Sequence, residues 1–305
     1  MGKLALIICT KDRPVDLTSL LKSIAEQTLL PDSIIIIDGS DNAPPVKEVC
    51  DQFHSSLPIT YKTLRPPGLT RQRNLGISLL SSETTWVGFL DDDLVLEPVA
   101  IQEMKTFLET KPQYKGVGLV INNQDNKKPS FLRNLFFLDK MPGGQVTASG
   151  LPASIRPVQT SMDVEWIYGG ATFWHTEILK KYKFDEWFSG VGYLEDVDFS
   201  YHVSRSYPLA INGKARCWHY HHPAKKENMI KYGTWQIVSW WYFISKYQRF
   251  NRLLVLWSMS AVTLANLVAG LRNKKTYRER MFLGNIIGFW KIVTNQTQTH
   301  KGFQK

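Results

Sequence analysis

Phe89-Leu90-Asp91-Asp92-Asp93-Leu94-Val95 is the stretch on which the fold turns. It closes the apolar run Trp86-Val87-Gly88-Phe89-Leu90, which predicts a buried parallel strand carrying three carboxylates at its C-terminal end. Ligands of open α/β sheets bind at that end. Three adjacent carboxylates repel one another, so keeping them ionised requires a cation, and hard oxygen ligands suit Mg²⁺ or Mn²⁺ carrying a phosphate. Strand alternation predicts that Asp91 and Asp93 share a face while Asp92 points away. A solvated acidic turn is the plain alternative.

Working back from this stretch, Leu4-Ala5-Leu6-Ile7-Ile8-Cys9 reads as a first buried strand, with Thr10-Lys11-Asp12-Arg13-Pro14 as a loop whose proline opens a helix. Leu17, Leu20, Leu21 and Ile24 lie on one face of that helix. Ile34 to Ile37 is a second strand ending in Asp38-Gly39-Ser40-Asp41, followed by a helix with Val46, Val49, Cys50 and Phe53 in register. Strand, helix, strand, helix makes a parallel sheet whose strand ends, Thr10, Asp12, Asp38 and Asp41, converge on one rim. Each of them alone also suits a turn or a helix cap. Ile59 to Leu64 is a third strand, and Leu69-Thr70-Arg71-Gln72-Arg73-Asn74-Leu75-Gly76 starts a helix whose cations face phosphate or base.

Composition narrows the class. With 305 residues, 43% hydrophobic, 21% charged and 10 Trp, the chain has material for a full core and is not a disordered protein. A net charge of +10 favours acidic partners: nucleotide diphosphates, nucleic acid or an anionic membrane. Cys9, Cys50 and Cys217 are odd in number and far apart, which argues for small core residues in a reducing compartment. No signal peptide is expected, because the first strand begins near Met1. The chain has neither a P-loop nor a Gly-x-Gly-x-x-Gly turn.

Beyond the acidic stretch, Glu97-Pro98 opens a helix with Ile101, Met104 and Leu108, and Gly116 to Ile121 is a further strand. Residues 122 to 163 are polar and rich in Pro, Gly and Asn, either a substrate loop or an insertion. Trp166 to Phe173 contains the pair Gly169-Gly170, which lets backbone approach a ligand or another chain closely. In Leu194-Glu195-Asp196-Val197-Asp198 the acidic residues at a helix start serve either as caps or as a general base. Cys217 to Pro223 holds His219, His221 and His222, of which the first two share a face on a strand and are candidate metal ligands.

Cys9 to Pro14, Ile37 to Asp41, Arg73 to Gly76, Phe89 to Asp93, Gly169-Gly170 and Leu194 to Asp198 occur in the order seen in family 2 glycosyltransferases, and residues 3 to 223 resemble that family. The resemblance implies a GT-A fold, an α/β architecture with a mainly parallel central sheet. It further implies a nucleotide-diphosphate sugar donor, Mg²⁺ or Mn²⁺, and inversion at the anomeric carbon. By motif, Asp12, Asp38 and Arg73 fall at nucleotide positions, Asp91 and Asp93 at the metal-diphosphate motif, Asp196 at the base, and His219 at a third metal position. Thr10, Arg13 and Asp92 complete the expected nucleotide-sugar set; Trp166, Gly169, Gly170 and Glu195 are the expected acceptor-facing residues. Gln72 departs from the family, which usually has Ala there. No Gln-x-x-Arg-Trp motif follows the base, so transfer of one sugar per event is expected, to a lipid-linked or saccharide acceptor, with no nucleic-acid partner. A sugar-phosphate nucleotidylyltransferase is the alternative enzyme, but it wants a Gly-rich basic loop after the first strand, which Thr10 to Pro14 is not. A non-enzymatic membrane scaffold is the alternative of another class.

The expected domains are a catalytic domain over 1–223, divided at 121/122 into a nucleotide-sugar half and an acceptor and base half, and a helical region over 224–305. In the latter, Trp235 to Ile244 is an aromatic-rich helix suited to headgroup depth. Leu253 to Leu271 is 19 residues without a charge, at the lower limit for crossing a bilayer core of about 30 Å. Basic residues flank it on both sides, and Met281 to Val293 is a second apolar stretch suited to lying in the interface. The expectation is attachment to the cytoplasmic face of a membrane, near a lipid-linked acceptor. A soluble helical subdomain is the alternative.

Overall fold

Side chains of the apolar runs alternate between the two faces of one sheet, and both faces are covered. Leu6, Ile8, Ile34 and Ile36 pack with Leu17, Leu20, Leu21, Val46 and Val49. On the opposite face Ile7 meets Gly76, where an added Cβ would lie 2.6 Å from Ile7 Cγ2. Burial on both faces is why these strands are continuously apolar rather than alternating.

The computed structural model describes residues 2–126, 128–188, 192–221 and 226–297. The chain runs β1 (Lys3–Thr10), α1 (Pro14–Ala25), β2 (Ser33–Asp38), α2 (Pro44–Phe53), β3 (Ile59–Thr63), α3 (Leu69–Ser78), β4 (Thr84–Asp91), β5 (Leu94–Leu96), α4 (Ala100–Thr110) and β6 (Gly116–Ile121). It continues through α5 (Phe131–Leu135), β7 (Met162–Val164), β8 (Ala171–His175), α6 (Thr176–Lys181), α7 (Glu195–Ser204), β9 (Leu209–His219), α8 (Met229–Ser245), α9 (Arg252–Arg272) and α10 (Arg278–Val293). Two compact units result: Met1–Asn126, Ile155–Ser189 and Glu195–His221 form one; Lys127–Ser154, Gly190–Leu194 and His222–Lys305 form the other.

The first unit is a mixed sheet in the order β3-β2-β1-β4-β8-β6-β9-β5, with β7 paired to β9. The four strands β3, β2, β1 and β4 are mutually parallel, as the βαβ pattern requires. Antiparallel pairing enters after the acidic stretch, where β8 runs against β4 and β5 against β9. Register then positions the rim: Thr10 lies opposite Asp38, Cys9 opposite Asp91, and Leu94 opposite His219.

The second unit is helical. Gly233 of α8 and Gly284 of α10 allow backbone contact: an added Cβ would lie 2.2 Å from Met281 O or 2.1 Å from Ile230 O, respectively. This unit also takes in residues expected elsewhere. Residues 127–154, assigned to the catalytic domain, group with the helices, because Trp240 Nε1 donates to Ser149 O at 2.7 Å and Gly150 (φ +85°) leaves room for Ile244. The domain boundary is therefore discontinuous. Within the aromatic-rich stretch of α8, Trp235, Trp240 and Phe243 are buried in this unit.

Candidate active site

The rim begins with hydroxyl and guanidinium groups held on the acidic turn. Asp91 ends β4 and Asp92-Asp93 form a turn before β5. Alternation stops in that turn, so the expected pairing of Asp91 with Asp93 gives way to another. Arg13 NH1 bridges Asp92 Oδ1 at 3.0 Å and Asp93 Oδ2 at 3.1 Å, and Thr10 Oγ1 donates to Asp92 Oδ2 at 2.7 Å. Asp91 instead faces Arg73, at 3.5 Å. Burial pushes Asp92 up to about 6 against the pull of Arg13 and Thr10. Asp92 is thus part of the turn's own framework.

Asp93 has a different environment. His219 Nε2 lies 2.8 Å from Asp93 Oδ1, yet this buried oxygen has no aligned hydrogen-bond donor. The His219 and His221 rings are tilted at 42° with centroids 3.6 Å apart, and one ligand atom from each of Asp93, His219 and His221 falls within 4.8 Å of the others. Burial alone would raise Asp93, but the contact with His219 and the charge of Arg13 outweigh it and hold the carboxyl below its ordinary range. His221 is lowered, by burial and by His219, which favours the neutral imidazole that binds metals. Asp93 in turn raises His219, so the two form an ion pair when no cation is bound, and a buried carboxylate facing two imidazoles also fits a divalent cation. His219 and His221, both candidate ligands from the sequence, meet Asp93 here, while Asp91 stands beside them with Arg73. His222 lies outside the described residues.

The nucleotide side is pinned by a network that local sequence patterns do not reveal. Asp38 accepts from Ser40 N–H at 2.7 Å and from the Tyr61 hydroxyl at 2.6 Å. Asp12, at φ 55°, donates its N–H to Ser40 Oγ at 2.7 Å and accepts from Asp41 N–H at 3.0 Å. Gln72, buried, donates to Thr10 O at 3.0 Å and Ile37 O at 2.8 Å, and accepts from Gly68 N–H at 3.3 Å. An alanine at this position makes none of these bonds. Its amide ties the ends of β1 and β2 to the start of α3. Tyr61, Ser40 and Gln72 are site residues missed by sequence reasoning; only the departure at Gln72 hinted at one of them.

Arg73 joins this rim to the base region. Only 2% exposed, its guanidinium contacts Asp91 and, at 3.4 Å, Glu195 Oε1, and it lies 5.2 Å from the centroid of the Phe184 ring. The cation expected to face phosphate is therefore already paired with two carboxylates. Gly169 and Gly170 are required by this packing: an added Cβ would lie 2.6 Å from Arg73 Nη1 at the first and 1.8 Å from Asp91 Cγ at the second. Asp196 accepts from Gly169 N–H at 3.3 Å and from its neighbour Val197 N–H at 2.8 Å. Asp196 is half-buried while Glu195 is buried. Burial first, and Asp196 second, push Glu195 up to about 8, with Arg73 pulling the other way. Asp196 is also raised by burial, opposed by the Val197 and Gly169 amides and by Arg73. Both carboxyls of this pair are held above their ordinary range, and among the described residues Glu195 Oε2 has no hydrogen-bond partner, leaving a polar atom for a ligand. Trp166, expected to face an acceptor, is buried, its ring in a T-shaped contact with Tyr168 at a centroid distance of 4.8 Å.

Comparison with known proteins bears on the family and the fold. The family described as glycosyl transferase family 2 matches residues 5–159. YwdF of Bacillus subtilis (strain 168), an uncharacterized glycosyltransferase, is 34% identical over 110 residues, 35% of this chain and 39% of YwdF. The chain thus covers about two fifths of that relative. The crystal structure of S. aureus TarS 1-349 matches with a TM-score of 0.51 at 13% identity, over 98% of this chain and 93% of that one. The same protein in complex with UDP-GlcNAc gives 0.52 at 13% identity, with the same coverage. At that identity the likeness speaks for the fold, here GT-A. Gly169, Gly170, Asp196 and the histidines lie beyond the family match, and their association with the rim rests on geometry.

Proposed function

Because the chain belongs to glycosyl transferase family 2, we propose that it moves one sugar per event from a nucleotide-diphosphate sugar to a hydroxyl acceptor, with inversion. The observation that carries the reading is the Asp196 carboxylate, held by two backbone amides beside Glu195, in contact through Gly169 and Arg73 with the acidic rim. A carboxylate fixed in this way accepts a proton from a sugar hydroxyl. Placing the pair's proton on Glu195 avoids two adjacent buried charges, and Arg73 offsets the one that remains. Asp38 and Asp12, set by Tyr61, Ser40 and Asp41, form the nucleoside end, while Arg13 offers a cation next to the diphosphate. When bound at Asp93, His219 and His221, a divalent cation supplies Lewis-acid stabilisation of the charge on the leaving diphosphate. Two nitrogen ligands favour Mn²⁺ over Mg²⁺.

The acceptor in this proposal is a lipid-linked or saccharide hydroxyl, reached at the cytoplasmic face of a membrane to which the C-terminal helices attach. Among the described residues α9 alone is long and apolar enough to cross one. The test is turnover of a nucleotide-sugar panel by full-length protein, with the anomeric configuration of the product read by NMR. Retention of configuration, or undiminished transfer by Asp196→Asn, refutes the mechanism.

A further inference from the structure

The helical unit keeps an apolar core around α8, but α9 and α10 place polar groups where they meet α8 and large apolar side chains on their outer faces. The interior between α8, α9 and α10 holds Asn266 and Asn285, both buried: Asn266 Nδ2 donates to Asn285 Oδ1 at 2.8 Å, and Asn285 Nδ2 donates to Gly233 O at 2.9 Å and Gln236 Oε1 at 3.0 Å. The buried residues of α10 are Gly284, Asn285 and Gly288. Its large apolar side chains point outward, with Trp290 64% and Val293 80% exposed, as do Leu264 and Leu271 of α9. Close helix contact through small residues, polar groups satisfied inside and apolar side chains outside is the packing favoured where the surroundings are hydrocarbon. In water an apolar face of this size carries a large penalty.

The same unit takes in α5, which lies in a segment the chain makes between leaving the sheet unit at residue 126 and returning at 155. Phe131 and Leu132 are 78% and 61% exposed, and Leu135 and Phe137 are exposed as well. The neighbouring Phe136 ring packs against Trp257 of α9 at 4.9 Å. The apolar surface of α9 therefore continues onto α5. Basic residues Arg252, Arg272, Lys274 and Lys275 bracket α9, which at 21 residues is about 32 Å long, close to a bilayer core of about 30 Å. Charge and length together point to lipid with anionic headgroups rather than to a protein partner.

We infer that α5 is a second membrane-inserting element, forming with α9 and α10 one surface that sits in the acyl region of an anionic bilayer. The inference rests on the membrane attachment proposed above and adds an anchor inserted in the middle of the catalytic sequence. Insertion of α5 requires no crossing, since five residues reach only the headgroup and upper acyl region.

The test uses the full chain with an environment-sensitive fluorophore on Leu132→Cys or, separately, Leu264→Cys, mixed with phosphatidylcholine vesicles with or without phosphatidylglycerol. Brominated acyl chains serve as the quencher. Both probes should shift to the blue and be quenched, and more strongly with phosphatidylglycerol. In flotation, Phe131→Ser combined with Leu132→Ser should lower vesicle partitioning roughly tenfold. Quenching at position 264 with an unquenched, water-exposed probe at 132 would overturn the inference and leave the membrane reading standing. Two water-exposed probes would overturn both. A blue shift at 132 that is complete without vesicles, in a chain that sediments as a dimer, would assign the surface to a second copy and overturn the inference as well.

Discussion

Replacing Glu195 by Gln tests the protonation pattern on which the base assignment depends. Burial and the neighbouring Asp196 raise this carboxyl from its ordinary 4.5 to about 8 in the folded chain. Because the folded state binds this proton more tightly than the unfolded chain does, the associated stability is fully present below 4.5. It is lost progressively as pH rises and is gone above about 8. Gln keeps the shape and the neutral charge of the protonated acid, so the variant lacks this term. Urea unfolding of the two proteins across the window should show the wild type losing stability relative to Glu195→Gln as pH rises. The same change should remove from the pH profile of kcat/KM a transition near 8, where ionisation of Glu195 places a second negative charge beside Asp196. A stability difference that is flat with pH, together with an unchanged profile, would refute the assignment of the proton to Glu195.

Three further outcomes are expected. Asp196→Asn should retain nucleotide-sugar binding by calorimetry and lose roughly 10² to 10⁴ in kcat, as removal of a general base does. Mn²⁺ should raise the Tm of the wild type, and Asp93→Ala, His219→Ala and His221→Ala should each diminish that rise; an unchanged response in all three would exclude the site. Gln72→Ala removes three buried hydrogen bonds and should cost about 2 to 3 kcal/mol by denaturant unfolding. It should also raise the KM for the donor more than it lowers kcat, because it loosens the nucleotide rim.

The sequence by itself determined the parallel core and its rim. Apolar runs such as Ile34 to Ile37 are local patterns, and burial of both sheet faces leaves them few other arrangements, so the strand ends at Thr10 and Asp38, expected on one rim, lie opposite each other. Helix faces at Leu17, Leu20, Leu21 and Ile24 follow from the same short-range periodicity. What only the tertiary structure decided are pairings between residues far apart in the chain. Arg73 meets Glu195 across 122 positions, and His219 meets Asp93 because β5 runs antiparallel to β9; no local period encodes either contact. The division of labour within Asp91-Asp92-Asp93 also lay beyond a strand pattern, since the chain turns after Asp91 and alternation ends there. Residues 127–154 lacked periodicity and so carried no sign of the unit they join; Ser149 and Gly150 take their place from Trp240 and Ile244, about ninety residues later. Polarity inside the helical unit shows the same division. Asn266 and Asn285 carry no sign of their partners in otherwise apolar stretches, and only packing turns them toward each other, with Leu264 and Leu271 outward.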